Sequence, residues 1–205
     1  SRAGYLVNYA VTHPEKITPA VAVIDDSYTG SYATILKNRI LGMGDNSRYY
    51  GGPFWKNKPS WLEHEPTFNV DRVRTPVLFT AHHDGPAAAA YVDTLGAFAM
   101  NNRPVEFLVF PEAGHGLEMP RERLAGLQST IDWMCFWLKD EVPADAIRAA
   151  RWAALRKQQD EVLKTPPPPK GKWVFEADPV QPEWHPPAET KKEEPKTEPT
   201  GAGKN

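Results

Sequence analysis

Apolar positions along this chain follow two rhythms. The segments "ITPAVAVID" (17–25), "TPVLFTA" (75–81) and "VEFLVF" (105–110) are short, β-branched and apolar almost throughout. Such runs predict strands buried on both faces, as in a parallel sheet. Between and after them the apolar positions recur at the helical period. Residues 3–12 predict a first helix and 32–41 a second. "AAAAYVDTLGAFAMNN" (87–102) predicts another, with Tyr91, Leu95 and Phe98 on one face. In "PRERLAGLQSTIDWMCFWLKDE" (120–141) the positions Leu124, Leu127, Ile131, Met134, Cys135 and Leu138 recur every three to four residues. Pro120 suits the first turn of that helix. "ADAIRAARWAALRKQQDEVL" (144–163) is strongly helix-favouring.

Helices alternating with buried strands give βαβ units and an α/β fold. A sheet of only three parallel strands leaves apolar edges, so the expectation is the C-terminal part of a larger domain. Residues 26–74 interrupt the alternation with an excursion rich in aromatics and glycine. Long insertions at the carboxyl ends of strands are where α/β proteins build binding sites.

Composition changes the picture mainly at the C-terminus. Ten of the 21 prolines lie beyond residue 160, among Lys and Glu and few aliphatic residues. Such a stretch cannot bury enough surface to offset its ordering entropy. The expected organisation is a folded part over 1–140, a helical extension over 141–163 and a proline-rich, mostly disordered tail over 164–205. The net charge of -2 gives no electrostatic case for a nucleic-acid partner. No apolar run approaches the ~20 residues of a membrane span. Cys135, the single cysteine, sits in the apolar run "IDWMCFWL" and is expected as a buried thiol. No feature points to a compartment.

Candidate chemistry gathers at the predicted carboxyl ends of the strands. Ser1 stands just before a helix, Asp84 follows one strand and His115 follows the next. The chain order Ser, Asp, His is that of an α/β-hydrolase. In such a trio the imidazole takes the serine proton and returns it to the leaving group, while the carboxylate fixes the ring. His115 lies between two glycines in "AGHG", a loop of permissive backbone. Asp25 and Asp26 also end a strand and are the alternative acids. His82, His83, Asp84 and His115 invite comparison with a metal site. Adjacent histidines at a strand end point to opposite faces, however, and no metal or cofactor is expected.

Ser1, Ala3 and Gly4 match the right-hand half of a Gly-x-Ser-x-Gly turn, in which small residues let strand and helix pass closely. From these residues onward the sequence resembles the prolyl oligopeptidase family of serine peptidases. The resemblance rests on "SRAGYLVNYAVTH", "SWLEHEPTFNVDRVRTPVLFTAHHDG", "NNRPVEFLVFPEAGHGLEMPRERL" and "STIDWMCFWLKDE", in the family's order. It covers residues 1 to about 140. Ala3 stands where the family has glycine.

The resemblance implies an α/β-hydrolase catalytic domain that cleaves peptides through an acyl-enzyme, with esterases among its members. It implies Ser1 as nucleophile, Asp84 as acid and His115 as base. The amide of Arg2 becomes one oxyanion-hole donor. Tyr28, Tyr32, Tyr49, Tyr50, Phe54 and Trp55 become candidates for a substrate pocket. The family's domain also has an N-terminal half, commonly preceded by a β-propeller. This chain is therefore expected to be a fragment that starts at its nucleophile. A non-enzymatic, hydrolase-like binding protein is the alternative from another class.

Overall fold

Val77, Leu78 and Phe79 have no exposed surface, because successive side chains of a strand face opposite ways and both faces are covered. The computed structural model describes residues 1–27, 31–40, 47–82 and 91–169, all within one compact unit, Ser1–Gly171. The expected tail lies almost wholly outside the described residues, as do Tyr28, Asp84 and the start of the helix predicted over 87–102.

The strands β1 (Ala22–Asp25), β2 (Val77–His82) and β3 (Val105–Phe110) form a sheet in the order β1-β2-β3. Both pairings are parallel. Ala22 is in register with Val77 and Asp25 with Thr80; Val77 is in register with Val105. The helices are α1 (Arg2–Thr12), α2 (Tyr32–Ile40), α3 (Lys58–His64), α4 (Val92–Met100), α5 (Pro120–Lys139) and α6 (Ala146–Lys164). This is the parallel-stranded, helix-flanked architecture expected of the C-terminal portion of an α/β-hydrolase fold. Alpha-helix α3 and the short 3-10 turns at Ser47–Tyr50, Phe54–Lys56 and Pro66–Arg72 arise inside the excursion, where the sequence has no clear period.

One face of the sheet is closed by α1 and α4. Val11, Ala22, Ile24, Val77, Phe79, Ala81, Tyr91 and Phe98 form its core, with Val7 and Leu95 packed against it. Tyr91, Leu95 and Phe98 thus share the buried face of one segment, as their spacing predicts. Leu78, Trp133, Phe136 and Trp152 form the core of the opposite face. Here the structure corrects the sequence: Leu124, Leu127, Ile131 and Leu138 are exposed, while Gly126, Ser129, Trp133 and Phe136 are buried. Alpha-helix α5 carries two apolar stripes, and the aromatic one wins. An aromatic side chain buries roughly 150–250 Å², more apolar area than a leucine, and burial stabilises in proportion to that area.

Alpha-helix α6 is capped at both ends. Asp145 accepts from the Arg148 amide at 2.7 Å. The Arg74 guanidinium donates to the Leu163 carbonyl at 3.2 Å and to that of Thr165, meeting the unpaired carbonyls of the last turn. Arg151 pairs with the buried Glu106 of β3, which ties α6 to the sheet.

Candidate active site

The site is built at the carboxyl ends of β1 and β2. Beta-strand β1 ends in Asp25 and β2 in His82. The strand alternation places Asp25, Thr80 and His82 on the same side of the sheet as Leu78, as the polar continuation of an apolar face. Thr80 donates to Asp25, its register partner. His82 is buried, with Nε2 3.1 Å from Asp25 Oδ1 and Nδ1 2.9 Å from the His115 carbonyl oxygen. The ring therefore ties the end of β1 to the loop that carries His115.

One residue beyond Asp25 the chain turns sharply. Asp26 has φ of 34°, a left-handed backbone uncommon outside glycine, though Asp tolerates it better than most. Its Oδ1 accepts from the His82 amide at 3.0 Å, and its Oδ2 lies 2.5 Å from His115 Nδ1. Ser27 is held from α4's side of the sheet. The Tyr91 hydroxyl accepts from the Ser27 amide at 2.7 Å and donates to the Ser27 carbonyl at 3.0 Å. Burial raises the Tyr91 hydroxyl well above the usual tyrosine range, with the charges of Asp26 and Asp25 adding to the effect. It therefore stays protonated and can serve both bonds.

Ser1 belongs to this turn. Its nitrogen donates to the Asp25 carbonyl at 3.1 Å, and its carbonyl accepts from the Ser27 hydroxyl at 2.7 Å. Ser1 is exposed and occupies the N-cap of α1 without spending its hydroxyl on the cap. The Arg2 amide opens α1, in the first turn where backbone donors have no partner within the helix. Gly4 explains why this approach is possible. A Cβ there would stand 2.1 Å from Ser27 Oγ, 2.3 Å from Ser27 Cβ and 3.0 Å from Ile24 Cγ2. The helix start and the end of β1 touch, as a small residue at that place in the turn predicts.

His115 is in a loop after β3. Its flanking glycines do not use the left-handed backbone that glycine alone permits freely. Neither Gly114 nor Gly116 has a positive φ, and a Cβ on Gly116 would meet nothing. His115 borders a cavity of about 390 Å³ that Asp25, His82, Leu117, Arg123 and Leu127 also line.

The aromatic candidates divide. Tyr32, Phe54 and Trp55 line one cavity of about 300 Å³, together with Ile35, Arg39 and Trp61. Tyr50 is buried against Trp61, with ring centroids 4.5 Å apart. Tyr49 stacks on Tyr5 at 5.7 Å. Three residues brace the site in roles that the sequence analysis did not assign: His82, weighed there only as a metal ligand, Tyr91, read only as a core position, and Ser27, which was not singled out. Their signal was faint: a polar position at the end of an apolar strand, and a tyrosine on a core-facing stripe.

No protein-family model matches the chain. It is 33% identical over 117 residues to the lasso peptide isopeptidase AtxE2 of Asticcacaulis excentricus, a match over 54% of this chain and 16% of that protein. A solved structure of AtxE2, a serine-to-alanine variant with Astexin3-dC4 bound, superposes with a TM-score of 0.61 and 27% identity. It covers 76% of this chain and 24% of the other. An acylaminoacyl peptidase in complex with a chloromethyl ketone shares the fold, with a TM-score of 0.55 and 15% identity over 78% of this chain. The chain thus spans about a sixth of the curated relative's length and about a quarter of these solved structures. The fold expected from the motifs, part of an α/β-hydrolase domain, is the fold shared with these neighbours.

Proposed function

We propose that this chain carries the nucleophile and base of a serine hydrolase that cleaves amide bonds in peptides. One observation carries the proposal: the Ser1 backbone is bonded to the same turn whose Asp26 holds His115. Backbone bonds of Ser1 to Asp25 and Ser27 and the side-chain contact of His115 with Asp26 put Ser1 and His115 at one end of the sheet, which supports their reading as nucleophile and base. The 33% identity to an isopeptidase supports an amide substrate.

The chemistry follows from the parts. Ser1 Oγ attacks the carbonyl carbon of the substrate, and its proton passes to His115 Nε2. The new C–O bond forms, and the amide C–N bond breaks as the imidazolium returns that proton to the departing amine. Water then attacks the acyl-serine, giving a proton to His115; the acyl C–Oγ bond breaks as the imidazolium returns that proton to Ser1 Oγ, and the acid product leaves. The Arg2 amide faces the developing oxyanion as one donor. The resemblance gives the orienting role to Asp84. Among the described residues, which do not include Asp84, the carboxylate at bonding distance from Nδ1 is that of Asp26. The cavity of Tyr32, Phe54 and Trp55 supplies an apolar, aromatic wall for a substrate side chain.

The test is labelling with a fluorophosphonate, which captures an activated serine. Covalent modification is expected on Ser1, absent in Ser1→Ala and absent in His115→Ala. Modification that persists at full rate in His115→Ala would remove the histidine from the mechanism.

A further inference from the structure

We infer that the cavity beside His115 receives the leaving side of the substrate, and that Arg123 of α5 selects there for a carboxylate on that side. The inference rests on the serine-hydrolase reading of Ser1 and His115 and deepens it by naming a substrate class.

Three observations converge. The first is position. His115 borders a cavity of about 390 Å³, within the roughly 300–1,000 Å³ of small-molecule sites. The histidine hands its proton to the departing amine, so that amine and what it carries lie against the imidazole. The aromatic cavity of Tyr32, Phe54 and Trp55 shares no lining residue with this one among the described residues. The two sides of the broken bond therefore have separate places. The second is charge. Besides the two histidines, the charged residues lining the cavity among those described are Asp25 and Arg123. Asp25 is engaged, since its Oδ1 accepts from Thr80 and lies 3.1 Å from His82 Nε2. The neighbouring Arg121 is engaged by Glu112, whereas the Arg123 guanidinium has no partner among the described residues. Such a guanidinium presents a planar fork of donors that matches a carboxylate. The third is the wall. Helical spacing sets Arg123, Leu127 and Thr130 in one row along the cavity. Leu127 is 61% exposed, apolar surface that a departing side chain would cover. A Cβ on Gly126 would stand 2.5 Å from Leu117 Cδ1, so glycine there lets α5 pack closely on the loop that carries His115.

The role is one of selection. Arg123 meets the departing fragment and not the reacting carbonyl, so proton transfer stays with His115. A carboxylate on the leaving side has two sources: the chain terminus, where the fragment released is short, or the side chain of an acidic residue close to the cleaved bond.

Peptide titrations of the full chain, followed through its backbone amide NMR signals, test it. The dipeptide Ala-Leu has the free amine and carboxylate of a released fragment. It is expected to shift the amides of Gly116, Leu117 and Thr130, and to bind at least ~5-fold more tightly than Ala-Leu amide, which lacks the carboxylate. Arg123→Gln is expected to erase that preference, and Arg121→Gln, whose side chain does not line the cavity, to keep it. Ala-Glu amide separates the sources. Binding like that of Ala-Leu assigns the site to an acidic side chain as well, and binding like that of Ala-Leu amide assigns it to the chain terminus alone. Equal affinity of Ala-Leu and its amide for the wild type overturns the inference, and that comparison needs no variant. A preference that survives Arg123→Gln, or shifts confined to residues away from the cavity, overturns it too. The two readings fail separately. Fluorophosphonate labelling of Ser1 in a chain without the carboxylate preference sinks the role of Arg123 and keeps the hydrolase. A preference carried by Arg123 in a chain that never labels keeps the carboxylate site and sinks the hydrolase.

Discussion

Two histidine–aspartate pairs stand side by side at the end of this sheet, and they are built in opposite ways. In the His82–Asp25 pair the ring is 2% exposed and the carboxylate 61%. In the His115–Asp26 pair the ring is 67% exposed and the carboxylate 13%. The aspartates are consecutive and the histidines come from the ends of adjacent strands, so residue type and location do not separate the pairs. Burial does. A ring that must meet a substrate has to face outward, and a carboxylate in contact with it acts most strongly when shielded from water, where its charge is less screened. A ring that braces a loop is better buried, with both nitrogens engaged. On the serine-hydrolase reading proposed above, the difference fits His115 as the base and His82 as a brace, and it can be broken by experiment.

The largest expected effect on stability is at His82. Replacing it with alanine empties a buried ring volume and leaves the His115 carbonyl without its donor, at a cost of about 2–4 kcal/mol. His115→Ala removes an exposed ring and should stay within about 0.5 kcal/mol of wild type. Urea denaturation of the two variants reads the contrast directly. Equal losses would mean that both pairs are structural, and the division by burial would be wrong.

A third carboxylate shows what burial does without a histidine. Glu65 is fully buried in the excursion, where it caps the turn Pro66–Arg72 by accepting from the Phe68 amide at 2.9 Å. Desolvation pushes its carboxyl up to about 7, against the lowering effect of the amide bond. The folded chain therefore holds a proton that the unfolded chain, with an ordinary glutamate, gives up at lower pH. Stability contributed at Glu65 is complete below the unfolded value near 4.5, and is lost as pH rises through about 7. The loss amounts to a few kcal/mol at most. Glu65→Gln keeps an acceptor for the cap and removes the titration. Denaturation from pH 5 to 8 should slope downward in the wild type and flatten in the variant. An unchanged slope would place its origin in another group.

How much of this was legible from the sequence follows the same line between local and distant causes. Beta-strands β2 and β3 and all the long helices declare themselves, because apolar period and caps are local properties. The face of α5 was misread because spacing weighs each position equally, while Trp133 and Phe136 bury more area than the leucines around them. The close approach at the start of α1 was legible through Gly4, whose missing side chain marks it. The contact across the sheet end was legible only in part: Asp25 and Asp26 stood as alternative acids, with nothing to say which would reach His115. Asp26 and His115 are 89 residues apart, and their meeting is set by sheet register. Pairing Asp25 with Thr80 brings the next residue beside the end of β2, and chain order carries no trace of that. The braces escaped for the same reason: Tyr91 is a core aromatic by period, and only the fold brings its hydroxyl to Ser27, 64 positions earlier.

That brace gives the finest test of the comparison. Tyr91→Phe keeps the ring that packs on Phe79 and Phe107, with centroids 5.8 and 5.3 Å away, and removes only the hydroxyl. The Ser27 amide then loses its acceptor and the Ser27 carbonyl its donor, at a cost of about 1–2 kcal/mol. Because Asp26 precedes Ser27 directly, the change should loosen the turn beneath His115 while leaving the His82–Asp25 pair, fixed by Thr80 and the His115 carbonyl, in place. Amide hydrogen exchange should accelerate at Ser27 and stay slow at Thr80 and Ala81. Fluorophosphonate modification of Ser1 should slow less than in His115→Ala, since the imidazole is still present but the turn it contacts is no longer held. Equal acceleration of exchange along β2 would show that the two pairs share one support, and the functional separation drawn from their burial would lose its structural basis.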